Sequence, residues 1–256
     1  ARRLEGNVRN TGTHACGVII TPEPLIGLIP MTRAKDSDLM VTQFDNSVVE
    51  DAGLLKMDFL GLRNLTIIKD CLKIIKKIHE IEIDIDTIPL DDTETFEIFQ
   101  SGATSGIFQF SSDGMKAHLK HLKPDKFDDL IAMNALYRPG PIEYIPSFVN
   151  RKNGEEEILY DLPAMEEFLK ETYGITVYQE QVMAAAQKVA GYTLGQADLL
   201  RRAMGKKKPE ELAKQFEIFS QGMARNEFSK PAITALWDTL LPFADYAFNK
   251  AHSAGY

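Results

Sequence analysis

With 256 residues, 44% of them hydrophobic and 26% charged, the chain can bury the core of one large or two modest domains without disulfides or structural metal. Its two cysteines, Cys16 and Cys71, are spaced for neither a disulfide framework nor a thiolate metal site, which points to a reducing compartment, the cytoplasm. No apolar run approaches the roughly 20 residues of a membrane-spanning helix, residues 1–6 lack a signal peptide's apolar stretch, and the net charge of −8 excludes a uniformly basic protein but not a local basic site.

The strand signals lie in the first sixty residues. Ala15-Cys16-Gly17-Val18-Ile19-Ile20 is a short apolar run closed by Pro22 and Pro24, Val41-Thr42-Gln43-Phe44 alternates, and residues 54–60 form a third candidate; together they predict one small sheet. After Gly61 the period changes: Leu65, Ile68, Leu72, Ile75 and Ile78 recur at three- and four-residue spacing in a lysine-rich amphipathic helix. Asp84 and Asp86 follow in what reads as a solvated acidic connector. From about residue 63 onward the chain is expected to be mainly helical.

In Arg138-Pro139-Gly140-Pro141, two prolines around a glycine fix a rigid turn that presents Arg138. Val182, Ala185, Ala186 and Val189 mark the buried stripe of one helix, and Phe216, Phe219 and Met223 that of another. Pro209 and Pro231 sit where a first helical position is expected. Gln215-Phe216-Glu217-Ile218-Phe219 has the look of a clamp-binding peptide, yet it lies inside an amphipathic helix, so its phenylalanines are assigned to the core. The chain stops at Ala254-Gly255-Tyr256, straight after an expected helix, and is expected to be an excerpt of a longer polypeptide.

Two segments could carry chemistry. On a strand, Lys56 and Asp58 share one face while Leu55, Met57 and Phe59 take the other; an edge-strand aspartate paired with its neighbouring lysine is the plain reading of that pattern. The segment from Arg201 to Lys208 carries five bases and no acid; alone it fits a solvated basic helix end with Gly205 as its terminating glycine. Asn249, His252 and Ser253 have the spacing to share a helical face. His14, His79, His118 and His121 show no metal-ligand partner in the sequence pattern.

Taken together, Val41-Thr42-Gln43-Phe44-Asp45, the stretch 52–63 around Leu55-Lys56-Met57-Asp58-Phe59-Leu60-Gly61, Ile88-Pro89-Leu90-Asp91-Asp92, Gly106-Ile107-Phe108-Gln109-Phe110, Arg138-Pro139-Gly140-Pro141, Tyr173-Gly174-Ile175 with Tyr178-Gln179-Glu180-Gln181-Val182-Met183, the 201–208 segment and Phe248-Asn249-Lys250-Ala251-His252-Ser253 resemble successive signatures of the C-family DNA polymerases, the bacterial DNA polymerase III alpha subunits. The resemblance runs in family order across essentially the whole chain. It implies an α+β protein: residues 1–62 as the latter part of a palm similar to the polymerase beta nucleotidyltransferase fold, and residues 63–256 as a mainly helical, incomplete fingers domain.

In that family three palm aspartates hold two Mg²⁺ ions. Asp58 matches the third, with Lys56 as a neighbouring charge, and the first two are expected upstream of residue 1. The resemblance further implies that Arg201 and Arg202, then Lys206 and Lys207, grip the incoming triphosphate, and that Arg138, Tyr178, Gln179, Asn249, Lys250 and His252 belong to the nucleotide pocket. The implied activity is template-directed transfer of dNMP from dNTP to a primer 3′-hydroxyl. Primer-template DNA and dNTP are the implied partners, joined in the full-length protein by the sliding clamp and other replicase subunits, and the isolated fragment is expected to be inactive. The rival expectation is a non-catalytic, acidic helical interaction module that carries a basic loop.

Overall fold

The computed structural model describes residues 3–7, 12–35, 38–45, 48–206 and 209–256. The chain divides into two compact units, Ala1–Ile83 and Asp84–Tyr256. The fold class is α+β.

Among its described residues the first unit holds four short strands and one α-helix. β1 (Gly17–Ile20) pairs antiparallel with β4 (Leu55–Asp58), setting Gly17 opposite Asp58 and Ile19 opposite Lys56. β2 (Met31–Arg33) pairs antiparallel with β3 (Met40–Thr42). The sequence predicts one sheet, whereas the structure has two separate two-stranded ribbons. Pro22, Pro24 and Pro30 interrupt the chain between β1 and β2, and a three-residue strand is too short to show the alternation that would have revealed β2.

Ile19 on β1 packs with Leu25 against a small core of Ile29, Val49 and Leu54. The opposite face of the ribbon, formed by Val18, Ile20, Leu55 and Met57, is exposed. Helix α1 (Asn64–His79) ends on Glu80 in the left-handed region, with Lys76, Lys77 and His79 in its last turn, where positive charge suits the helix dipole. Its apolar stripe is present as predicted, but no α1 residue is buried.

The second unit is helical. Helices α2 (Thr93–Ser101), α3 (Asp113–Leu122), α4 (Phe127–Leu136) and α5 (Ile145–Lys152) enclose one core, with Met115, Leu119, Met133, Leu136 and Phe148 among its buried side chains. Asp92 and Ser112 cap α2 and α3 by accepting backbone N–H groups of Thr95 and Met115, the usual role of such residues at a helix start. After the short α6 (Glu166–Leu169), helices α7 (Gln179–Ala190), α8 (Leu194–Lys206), α9 (Pro209–Arg225) and α10 (Lys230–Tyr246) enclose a second core. There the predicted stripes, Val182 to Val189 and Phe219 with Met223, meet Leu236, Trp237 and Leu240. Phe216 packs edge-on against Trp237, so the segment that resembles a clamp peptide contributes to this core.

Three local features position the functional residues. Tyr178 and Phe248 form a parallel bridge, in which the Gln179 N–H donates to the Phe248 carbonyl and the Phe248 N–H to the Val177 carbonyl, both at 2.9 Å. This joins the start of α7 to the approach of α11 (Lys250–Gly255). Helix α11 is in turn tied to α4, because the Ser253 hydroxyl donates to the Ile131 carbonyl at 2.7 Å. Finally, α8 continues through Gly205 to Lys206, so Gly205 lies inside the helix and does not terminate it.

Candidate functional site

In the first unit, the strand period sends Lys56 and Asp58 to the same face of β4. The Lys56 ammonium reaches both Asp58 oxygens, at 2.7 and 2.9 Å. The carboxylate side chain is 43% exposed and the lysine side chain 14%, so the anion faces outward and the cation lies beneath it. The hydrogen bond from Lys56 outweighs the opposing effect of desolvation and, with the lesser help of the Lys56 charge and of nearby His14, holds the Asp58 carboxyl below its ordinary range.

The same face carries two residues that the sequence pattern leaves without metal-ligand partners. The His14 ring lies beside Cys16, its Nδ1 3.7 Å from the thiol sulfur and 2.7 Å from the Gly17 N–H, which it accepts. Donor atoms of His14, Cys16 and Asp58 all fall within 4.8 Å of one another, the one such trio of His, Cys, Asp or Glu among the described residues. The sequence pattern gives His14 no such partner, and the structure sets Cys16 and Asp58 beside it. The cause is non-local: antiparallel pairing of Gly17 with Asp58 brings together residues far apart in sequence. An adjoining cleft of about 560 Å³ is lined by His14, Cys16, Val41, Lys56 and Phe59 among others.

In the second unit, the predicted residues fall into two groups. The first gathers where α7 begins. On α8, Asp198 lies three and four residues before the arginines, a spacing that puts all three on one face. Oδ1 of Asp198 accepts from Nε and Nη2 of Arg201, at 3.0 and 2.7 Å, while Oδ2 takes Arg202 Nε at 2.8 Å. Arg201 also donates to the Gln179 side-chain oxygen at 3.3 Å. The Arg201 hydrogen bond keeps the Asp198 carboxyl below its usual range.

Across the Tyr178–Phe248 bridge, Glu180 accepts from the Asn249 side-chain amide and from the Lys250 N–H, and the Lys250 ammonium is hydrogen-bonded to Glu171. Asn249 also caps α11 by accepting the His252 N–H at 2.7 Å. Tyr178 is buried, which raises its hydroxyl above its ordinary range. Gln181 is buried as well; it accepts from the Val177 and Tyr178 N–H groups and donates to the Phe168 carbonyl and the Thr172 hydroxyl.

The second group is Arg138 and His252, which share a pocket of about 230 Å³ with Gln109, Asn134, Tyr137 and Phe248. At the rigid turn Arg138 Nε donates to the Ala135 carbonyl at 2.9 Å, Nη2 donates to the Tyr246 carbonyl, and the guanidinium lies 4.3 Å over the Phe248 ring. Partial burial lowers its pKa. Gly140 adopts φ +99°, and a Cβ there would fall 2.4 Å from the Tyr246 ring, so glycine is what lets the turn close on that side chain. His252 packs against Phe248 and Tyr256. Of the two lysines assigned to the triphosphate, Lys207 and the side chain of Lys206 lie outside the described residues.

The acids Asp198, Glu171 and Glu180 are absent from the sequence-based site. Only Asp198 was discoverable there, from its helical spacing to Arg201 and Arg202; Glu180 and Glu171 meet Lys250 through chain pairing across 70 and 79 residues.

Comparisons with known proteins agree with these observations. The sequence model described as the bacterial DNA polymerase III alpha subunit finger domain matches residues 64–227, and that described as the bacterial DNA polymerase III alpha NTPase domain matches residues 1–61. Over its whole length the chain is 52% identical to the DNA polymerase III subunit alpha of Saccharopolyspora erythraea, 50% to that of Chlamydia trachomatis and 48% to that of Thermus aquaticus. It spans about a fifth of each of these relatives, 22%, 21% and 21% of their lengths. With the finger-domain model covering well over half of it and motifs in family order throughout, the chain belongs to the bacterial DNA polymerase III alpha subunit family.

Proposed function

We propose that the chain is a section of the catalytic subunit of a bacterial replicative DNA polymerase. The whole protein would transfer dNMP from dNTP to a primer 3′-hydroxyl under template direction and release pyrophosphate. The observation that carries this reading is the outward-facing Asp58 carboxylate, kept ionised by Lys56 on a strand of a chain that belongs to this family.

Asp58 supplies two hard oxygen donors, the kind Mg²⁺ prefers, and Mg²⁺ usually takes only one or two carboxylates alongside substrate phosphates. The residue fits as one ligand of a larger set, the others lying on parts of the protein outside this chain. Bound there, two Mg²⁺ ions would supply Lewis-acid stabilisation to the attacking and leaving oxygens. The chain's own contribution is positional. Lys56 fixes the carboxylate's charge and direction. Arg201 and Arg202 offer planar forks suited to phosphate oxygens, held ready by Asp198. Phosphoryl transfer depends mainly on such alignment and charge stabilisation.

In the same reading residues 1–62 belong to the palm and 63–256 to the fingers. Lys206 and Lys207 extend the basic surface, while Tyr178, Gln179, Asn249, Lys250, Arg138 and His252 shape the nucleotide pocket. Primer-template DNA and dNTP are the substrates, and the sliding clamp and other replicase subunits are partners of the full-length protein in the cytoplasm. Among the described residues no helix is long and apolar enough to cross a membrane. Lacking the other metal ligands, the 256-residue chain alone is not expected to extend a primer. The test is Asp58→Asn in the full-length polymerase. Incorporation should fall by at least about 3 to 4 kcal/mol of transition-state stabilisation, roughly a hundredfold to a thousandfold; turnover near wild type refutes the assignment.

A further inference from the structure

We propose that His14, Cys16 and Asp58 form a binding site for a borderline-soft divalent ion, Zn²⁺ being the best match, and that such an ion competes with Mg²⁺ for the Asp58 carboxylate. The competition rests on the role given to Asp58 above; the binding does not.

The donor set is the first argument. One thiolate, one imidazole and one carboxylate leave a fourth position open, an arrangement that suits Zn²⁺, whereas Mg²⁺ has little use for sulfur or nitrogen. Geometry is the second. With Zn–S near 2.3 Å and Zn–N near 2.0 Å, tetrahedral coordination sets sulfur and nitrogen about 3.5 Å apart. Cys16 Sγ and His14 Nδ1 are 3.7 Å apart. That spacing is already close, and the remaining adjustment, from at most 4.8 Å, falls on the half-exposed Asp58, which must turn away from Lys56 to make it.

The third argument is the space between the ligands. A Cβ at Gly17 would sit 2.9 Å from His14 Nδ1 and 3.1 Å from Asp58 Oδ1. The strand thus runs beneath the trio at the one residue whose missing side chain leaves the gap open. Existing contacts oppose the ion. The His14 Nδ1 lone pair must exchange the N–H groups of Gly17 and Cys16 for the metal, and the Lys56 ammonium must be displaced from Asp58. Both costs make the site weaker than a structural zinc centre, and reversible occupancy is what competition requires.

Co²⁺ is the optical probe. Titrated into the 256-residue chain, it should give a thiolate-to-cobalt charge-transfer band with tetrahedral d–d absorption, both removed by added Zn²⁺. The bands should persist in Cys71→Ala and vanish in Cys16→Ala, with circular dichroism showing both variants folded. Absence of a thiolate band, or a band that follows Cys71, overturns the site.

In the full-length polymerase at fixed Mg²⁺, Cys16→Ala should leave extension unchanged. It should raise the half-inhibitory Zn²⁺ concentration by at least the roughly tenfold that losing even an outer-sphere partner costs in metal affinity. Equal Zn²⁺ sensitivity of wild type and Cys16→Ala would refute the competition. If cobalt binds through Cys16 while Asp58→Asn extends primers normally, the site stands and the catalytic assignment fails.

Discussion

The two units differ in what holds their functional side chains. Among the described residues of Ala1–Ile83 the buried apolar ones are Ile29, Val49 and Leu54, while one face of the β1–β4 ribbon is exposed and no residue of α1 is buried. In Asp84–Tyr256 two extensive cores stand behind the functional side chains. Asp58 is therefore fixed by a short backbone ladder and one ion pair, whereas Arg201 projects from a helix whose inner face, Ala197, Leu200 and Met204, is fully packed. The difference shows that a site can be locally well formed without local packing. A ribbon with an uncovered apolar face derives its rigidity from whatever covers it, while a four-helix core supplies its own.

The largest effects should come from the second unit. Asp129 on α4 is 1% exposed. It accepts from the Tyr173 hydroxyl at 2.9 Å and from the Asp125 N–H at 3.3 Å, and it pairs with Lys152 at 3.1 Å. Asp129→Ala removes the acceptor of three donors and leaves the nearly buried Lys152 with Asp125 alone, so the cost should be about 3 kcal/mol or more. Urea unfolding of the variant should show this loss in the transition reporting on Trp237, which lies in the second unit. An unchanged midpoint would mean that this unit is not held as tightly as its cores indicate.

Gly222→Ala tests the same unit at a helix crossing. A Cβ there would fall 2.0 Å from the Ala190 carbonyl, so α9 must move away from the end of α7. Overpacking of this kind costs about 1–3 kcal/mol, which outweighs the helix propensity gained. A variant as stable as wild type would show that the crossing yields without penalty, and that the second unit is softer than its packing suggests.

Much of this architecture was legible in the sequence wherever structure follows from local period. The stripes of α7 and α9, the strand at Asp58 and the shared face of Lys56 and Asp58 all follow from 3.6- and 2-residue spacing. What was hidden depends on pairing at a distance. Residue spacing does not show that Gly17 lies opposite Asp58 and so brings in His14 and Cys16, nor that the Tyr178–Phe248 bridge delivers Glu180 to Lys250. A local cue also misled. Gly205 has the look of a helix stop, yet α8 runs through it.

A smaller effect is expected where a functional side chain makes few contacts within the protein. Arg202 is exposed and engages Asp198 through one nitrogen, whereas Arg201 uses two on Asp198 and a third on Gln179. In the full-length polymerase, Arg202→Ala should leave stability unchanged and weaken nucleotide use by about 1.5 kcal/mol, roughly tenfold in kcat/KM. Steady-state incorporation against dNTP concentration reads this directly, and unchanged kinetics would remove Arg202 from the phosphate-gripping set.

The smallest effect is the sharpest probe of the first unit. Sequence period alone makes Leu65 a core residue of an amphipathic helix, for which Leu→Ala costs about 2–5 kcal/mol. In the structure Leu65 is 75% exposed, and a surface substitution of this kind changes stability by no more than about 0.5 kcal/mol. The two expectations differ several-fold, well beyond the error of a denaturation midpoint. Leu65→Ala in the 256-residue chain should therefore be nearly silent. The same substitution in the full-length polymerase then measures whether other parts of the protein cover the α1 stripe: a loss that appears only there locates the missing packing outside this chain, and a loss already present in the chain alone would mean that α1 is buried and the contrast between the two units is smaller than it looks.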